Sequence, residues 1–245
     1  MARRLTDHAV LTFDCYGTLI DWESGIWDAI QPLLMANACT TVNRARALAV
    51  FGRLETQQQS ATPAMLYPQL LASVHARLAQ ELDLETTPEM DALFGASVPM
   101  WPAFPDTADA LRVLEGHFKL VILSNVNRDG FAASNRKLGV AFDAIYTAQD
   151  IGSYKPAPRN FEYLLEHLRS DLGLASADVL HTAQSLHHDH VQAKAFGLDN
   201  AWIDRQRLSA SGEWGATAPV AQRPATDFLF YTLGEMADAV RAEIG

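Results

Sequence analysis

The 245-residue sequence predicts an α/β chain, a parallel sheet core carrying an inserted helical cap. Three observations predict it: short apolar runs that each stop at a polar turn, helix-like segments between those runs, and one long stretch of helical pattern that interrupts the alternation.

The first apolar run, Ala9-Val10-Leu11-Thr12-Phe13, is rich in strand formers and stops at Asp14-Cys15-Tyr16-Gly17-Thr18, which reads as a buried strand feeding a turn. Leu120-Val121-Ile122-Leu123 repeats the pattern before Ser124-Asn125, and Val179-Leu180-His181-Thr182-Ala183 before Gln184-Ser185. Asn200-Ala201-Trp202-Ile203 before Asp204 is a weaker fourth. Helical segments are expected over Thr107–Gly116, Asn160–Arg169 and Asp189–Phe196, the last ended by Gly197. Buried strands alternating with helices imply a parallel sheet covered on both faces, with its ligand site at the carboxyl ends of the strands. Asp14, Ser124 and the Gln184 to Asp189 loop should converge there.

Residues 21–98 read instead as helix after helix, with amphipathic stretches at Arg44–Glu55 and Tyr67–Leu82. A proline-dense return, Pro99-Met100-Trp101-Pro102-Ala103-Phe104-Pro105, cannot continue a helix. The expected division is a core of residues 1–20 and 99–245 and a cap of residues 21–98.

Composition narrows the function. Hydrophobic residues make up 49% and charged residues 20%, a globular balance. A formal charge of −10 argues against nucleic acid or anionic lipid as partners, since both need a basic surface. A small anionic substrate stays compatible, because one or two local cations can oppose the field of the whole. Two cysteines, Cys15 and Cys39, give no disulfide framework. A cytoplasmic protein that neither crosses nor is targeted to a membrane is expected.

A carboxylate at the end of a buried strand, followed by Gly17 and the hydroxyl of Thr18, suits a nucleophile that backbone amides orient. On the tetrapeptide alone, an Asp that caps a helix is an equal alternative. His181, His187, His188 and His190 raise the question of a metal site. Consecutive residues rarely ligate together, so the expectation is no metal, with one of His187 and His188 facing the pocket and the others facing solvent.

The longer string Phe13-Asp14-Cys15-Tyr16-Gly17-Thr18-Leu19-Ile20-Asp21 resembles the first motif of the haloacid dehalogenase superfamily. Three further matches follow in order: Leu123-Ser124-Asn125, then Tyr154-Lys155-Pro156-Ala157-Pro158, then Ser185 to Asp189 continuing through Ala193 and Gly197. The resemblance implies a Rossmann-like core with an inserted helical cap and Asp14 as a covalent nucleophile.

Departures from the pattern refine it. Phosphatases of the superfamily carry a second Asp two residues after the nucleophile, where this chain has Tyr16, and an acidic metal ligand where it has Gln184. Magnesium prefers carboxylate oxygens, so a site for it is weakened, and a phosphoryl leaving group lacks its acid. Tyr16 is instead what the metal-independent L-2-haloacid dehalogenases show. That resemblance implies displacement of halide from C2 of a short 2-haloalkanoate, an aspartyl ester, and its hydrolysis, with no cofactor.

It further implies Asp14, Thr18, Ser124, Lys155 and Asp189 as the catalytic set, with Lys155 keeping Asp14 ionised and Asp189 orienting the hydrolytic water. Tyr16, Arg53, Asn125, Gln184, Ser185 and His188 are expected to meet the substrate. The family's cap arginine lies three positions from Arg53, so Arg53 either substitutes for it or is a surface helix residue. Leu186, His188 and Phe161 stand where the dehalogenases carry Asn, Trp and Tyr. A homodimer through cap helices is implied by the resemblance alone. Two other functions stay open: a phosphatase or other small-acid hydrolase, and a catalytically idle binding protein.

Overall fold

A computed structural model describes residues 3–245. The first strand, β1 (Val10–Phe13), is buried at all four positions, as expected of a strand covered on both faces. Four helices follow before the chain returns to the sheet: α1 (Trp22–Ala36), α2 (Arg44–Ala61), α3 (Tyr67–Glu81) and α4 (Pro88–Gly95). Their starts are written locally. Asp21, Asn43 and Thr87 each accept a backbone N–H from three residues on, and prolines occupy the first turns of α3 and α4.

α3 turns Leu70, Leu71, Val74 and Leu78 inward, each worth about 1.5–3 kcal/mol of burial. The chain returns through a short 3₁₀ turn, Val98–Met100, and here the outgoing and incoming segments lie side by side. Ile20 bridges Ala103 antiparallel, Asp21 N–H donates to the Pro102 carbonyl at 2.8 Å, and Phe104 N–H to the Leu19 carbonyl at 3.1 Å.

The rest of the chain alternates as α5 (Thr107–Leu114), β2 (Lys119–Ser124), α6 (Arg128–Leu138), β3 (Ala144–Thr147), α7 (Ala148–Ile151), α8 (Pro158–Leu172), β4 (Val179–Ala183), α9 (Val191–Ala195), β5 (Asp199–Ile203), β6 (Phe228–Phe230) and α10 (Leu233–Ile244). The six strands are parallel in the order β3-β2-β1-β4-β5-β6. Progression from β1 through β2 to β3 runs one way, and β4 starts again on the other flank of β1. That reversal opens a crevice at the carboxyl ends of β1 and β4.

The α/β class is as the sequence predicts, with four strands expected where the described residues form six. β3 escaped because only Tyr146 and Thr147 of it are fully buried, and β6 because it has three residues, none fully buried. The expected helix over Asp189–Phe196 begins earlier and differently. Residues Leu186–His190 form one wide π turn, with His190 N–H reaching the Ser185 carbonyl, before α9 takes over. Such turns project side chains unlike an α-helix and recur at functional sites. Among the described residues no helix is long and apolar enough to cross a membrane.

Candidate active site

The loop after β1 is shaped by Gly17, whose φ of +96° lies outside the range of ordinary L residues. A Cβ there would stand 3.0 Å from both Gln184 Oε1 and Trp22 Nε1. The turn therefore needs glycine twice over, for its conformation and for its clearance. Thr18 then points back, donating its hydroxyl to Asp14 Oδ2 at 2.8 Å and accepting the Gln184 backbone N–H at 2.9 Å. One hydroxyl thus ties the turn after β1 to the turn after β4.

The other Asp14 oxygen, Oδ1, accepts Lys155 Nζ at 2.9 Å. Lys155 is 1% exposed and also donates to Asp189 Oδ1 at 2.7 Å and to the Leu123 carbonyl at 2.8 Å. Asn125 sets that lysine, its amide accepting Lys155 N–H at 2.6 Å and donating to the Lys155 carbonyl at 3.0 Å. Behind Asp189, His181 Nε2 donates to the shared Oδ1 at 3.0 Å, while its Nδ1 meets the Thr12 hydroxyl at 2.8 Å. Asp14, Lys155, Asp189, His181 and Thr12 form one buried chain of hydrogen bonds across β1 and β4.

Charge follows from that chain. Burial favours the neutral amine of Lys155, but two adjacent carboxylates outweigh it and hold the ammonium above its ordinary pKa. Burial also lifts Asp189, and there Lys155 and the His181 bond win, keeping the carboxyl well below the usual carboxylate range. Asp14 goes the other way. Its burial, with the Asp189 charge added, outweighs Lys155 and Thr18, so its pKa is raised. Lys155 was expected to hold Asp14 ionised; it does pull in that direction, but burial and the Asp189 charge outweigh it.

A pocket with a cavity volume of about 50 Å³ opens over this floor. It suits a small solute. Of the expected residues, Asp14, Tyr16, Asn125, Lys155, Gln184, Ser185, His188 and Asp189 border it. Two of its buried polar atoms, Asp189 Oδ2 and His188 Nε2, have no protein partner, which marks where water or a ligand group belongs. Tyr16 offers its ring only, since its hydroxyl meets Ser134 Oγ of α6 at 2.9 Å and the ring packs edge-on against Trp101.

Gln184 and Ser185 are committed to the framework. The Gln184 amide meets Gln206 at 2.9 Å and Thr217 at 3.2 Å, and Ser185 Oγ accepts His188 N–H at 3.0 Å. Ser124 is buried at the end of β2, off the pocket wall, with its hydroxyl unpartnered.

Arg53 does not reach the pocket. It lies on the outer face of α2, 47% exposed, paired with Glu81 of α3, because the inward face at that turn belongs to Phe51, Leu54 and Glu55. The histidines also differ from expectation. His188 borders the pocket, but His181 and His190 are buried rather than solvated, His190 Nε2 donating to the Ala183 carbonyl at 2.8 Å. Burial, with His187 beside it, pushes His188 down to about 3, so its ring is neutral.

Sequence reasoning missed the upper wall: Trp22 of α1, Glu55, Thr56 and Gln59 of α2, Tyr67 of α3, and Ala216 to Ala218 of the loop after β5. Glu55 is buried, and its Oε1 accepts the Tyr67 hydroxyl at 2.6 Å. Burial pushes the Glu55 carboxyl up to about 7 against the opposing Tyr67 bond. The only hint in the sequence was an acidic residue on the apolar side of an amphipathic helix.

The donors do not suit a hard divalent cation. Asp14 and Asp189 already share an ammonium, and the Tyr16 hydroxyl and Gln184 amide are turned to other partners. Among the described residues no three His, Cys, Asp or Glu side chains converge as metal ligands.

Residues 8–182 match the family of haloacid dehalogenase-like hydrolases. The chain belongs to that family. Over 202 residues it is 27% identical to (S)-2-haloacid dehalogenase 4A of Burkholderia cepacia, covering 79% of this chain and 82% of that protein. The L-2-haloacid dehalogenase of Xanthobacter autotrophicus, solved with chloropropionic acid covalently bound, superposes with a TM-score of 0.76 at 20% identity, over 96% of this chain and 98% of that one. A putative family hydrolase of Bacillus subtilis, YfnB, solved bound to magnesium, superposes with a TM-score of 0.74 at 17% identity, over 98% of this chain and all of that one. Such likenesses fix the fold and leave the choice of chemistry to the pocket.

Proposed function

We propose that this hydrolase cleaves the carbon–halogen bond of short 2-haloalkanoic acids through an ester on Asp14, without a metal. One observation carries the reading: the Asp14 carboxylate is gripped at both oxygens, by Thr18 and by Lys155, two residues before Tyr16 rather than before a second acid. In the first step an Asp14 oxygen attacks C2 and the C–X pair leaves as halide. Halide departs unprotonated, so the missing acid costs nothing.

In the second step water attacks the Asp14 carboxyl carbon, the ester C–O bond to the carboxyl breaks, and 2-hydroxy acid and a proton are released. Asp189 orients that water through its free Oδ2. Held charged by Lys155 and His181, Asp189 is a weak base and a good hydrogen-bond acceptor, so positioning is its main contribution. Lys155 offsets charge that shifts between the Asp14 oxygens during both steps. Residues 21–98 supply most of the wall over the substrate, and the commitment of Asp14 and Asp189 to one ammonium supports a reaction without a metal step.

The test is halide release from 2-chloro- and 2-bromopropionate by chelator-treated protein, with mass spectrometry of the trapped chain. Release with a 1-carboxyethyl ester adduct on Asp14, abolished in Asp14→Asn, is expected. No halide from any 2-haloacid, or aryl phosphate turnover restored by magnesium, would overturn the reading.

A further inference from the structure

Glu55 is a buried carboxyl with no cation to answer it. It borders the same pocket as Asp14, and among the described residues its one hydrogen-bond partner is the neutral Tyr67 hydroxyl. The groups around it come from several elements: Asp14 and Tyr16 after β1, Tyr67 of α3, Tyr154 and Lys155 before α8, and His188 and Asp189 after β4. Burial keeps Tyr67 and Tyr154 unionised and His188 uncharged at neutral pH. The single ammonium, on Lys155, is fully engaged by Asp14, Asp189 and the Leu123 carbonyl.

The pocket therefore holds three carboxyls and one ammonium, and Arg53, the nearest guanidinium in sequence, is turned away to Glu81. An incoming 2-haloalkanoate is itself an anion. With Glu55 ionised it meets an uncompensated negative wall; with Glu55 protonated, it meets a hydrogen-bond donor.

We propose that the Glu55 carboxyl decides which charge the pocket admits: as the neutral acid it donates to the carboxylate of a 2-haloalkanoate, and as a carboxylate it excludes that anion. This rests on the reading of the site as a 2-haloacid pocket. A 2-haloamide of the same shape carries no charge and escapes the exclusion.

Propionate, which has no leaving group, is the probe. Calorimetric titration of the whole protein should show affinity falling about tenfold from pH 6 to pH 8, as expected when one group of pKa near 7 must be protonated. Repeating the titration at pH 8 in buffers of different ionisation enthalpy should show close to one proton taken up per anion. Glu55→Gln should remove that tenfold fall. Tyr67→Phe, which removes a bond favouring the ionised form, should move the fall to higher pH, and it carries the test should Glu55→Gln fail to fold.

A wild-type affinity flat across this range, a Glu55→Gln variant that keeps the tenfold fall, or no propionate binding at any pH would overturn the proposal. Halide release with pH-independent propionate binding would sink the Glu55 role and spare the dehalogenase reading. Proton-coupled propionate binding without halide release from any 2-haloacid would do the reverse.

Discussion

Lys155 Nζ lies 2.7 Å from Asp189 Oδ1, closer than its 2.9 Å to Asp14 Oδ1. The ammonium thus belongs to both acids, and removing it leaves two buried carboxyls facing each other. Lys155→Met should destabilise the fold by about 3–5 kcal/mol, the cost of uncompensated buried charge. Urea unfolding at pH 7.5 measures it. A loss below about 1 kcal/mol would mean that water already reaches the pair.

Asp189→Asn keeps shape and removes charge. If Asp189 positions the hydrolytic water, the ester should form and then persist, with steady-state turnover down about 10²-fold. Rapid quench with intact-mass detection should find one halide released per chain and an adduct on Asp14. Equal loss of burst and turnover would place Asp189 in the first step instead.

Arg53→Ala should leave turnover unchanged and cost at most about 1 kcal/mol, as an exposed pair with Glu81 contributes little. The cap arginine of the dehalogenases made this residue a natural candidate, so a large rise in KM would show that α2 rotates on substrate binding.

Glu55 predicts a stability that declines with pH. Its folded-state pKa of about 7 lies above the ordinary 4.5, so between those values the folded chain holds a proton that the unfolded chain has lost. That contribution is fully present below pH 4.5 and is lost as pH rises through 7, by roughly 3 kcal/mol at most. Asp189 acts oppositely, its contribution present above the ordinary carboxylate range and lost only in strong acid. Guanidinium unfolding at pH 5 and pH 8 should give a wild-type decline that Glu55→Gln makes clearly smaller, the remainder belonging to Asp14, whose pKa is also raised.

The floor of the pocket was legible because strand ends announce themselves. Asp14 and Gln184 each follow an apolar run that stops abruptly, as does Ser124 behind the pocket wall, and parallel topology sends such ends to one edge. Lys155 was legible from its motif and not from any strand, since β3 ends eight residues earlier. The wall was not legible. Glu55 reads as one more acidic helix residue until α3 and the pocket floor enclose it, and Ala216 to Ala218 lie in a loop with no pattern at all. Arg53 and Glu55 are two positions apart on one helix, and a rotation of 200° decides which of them faces in.

The side-by-side crossing at Ile20 and Ala103 has a practical corollary. Asp14, Lys155 and Asp189 stand on loops at the carboxyl edge of the sheet, whereas Trp22, Glu55, Thr56, Gln59 and Tyr67 ride on a segment spliced in through that one seam. Selectivity is thus expected to travel largely with that segment. Grafting a relative's helices between Ile20 and Ala103 would change the compounds accepted while leaving the nucleophile and its lysine untouched.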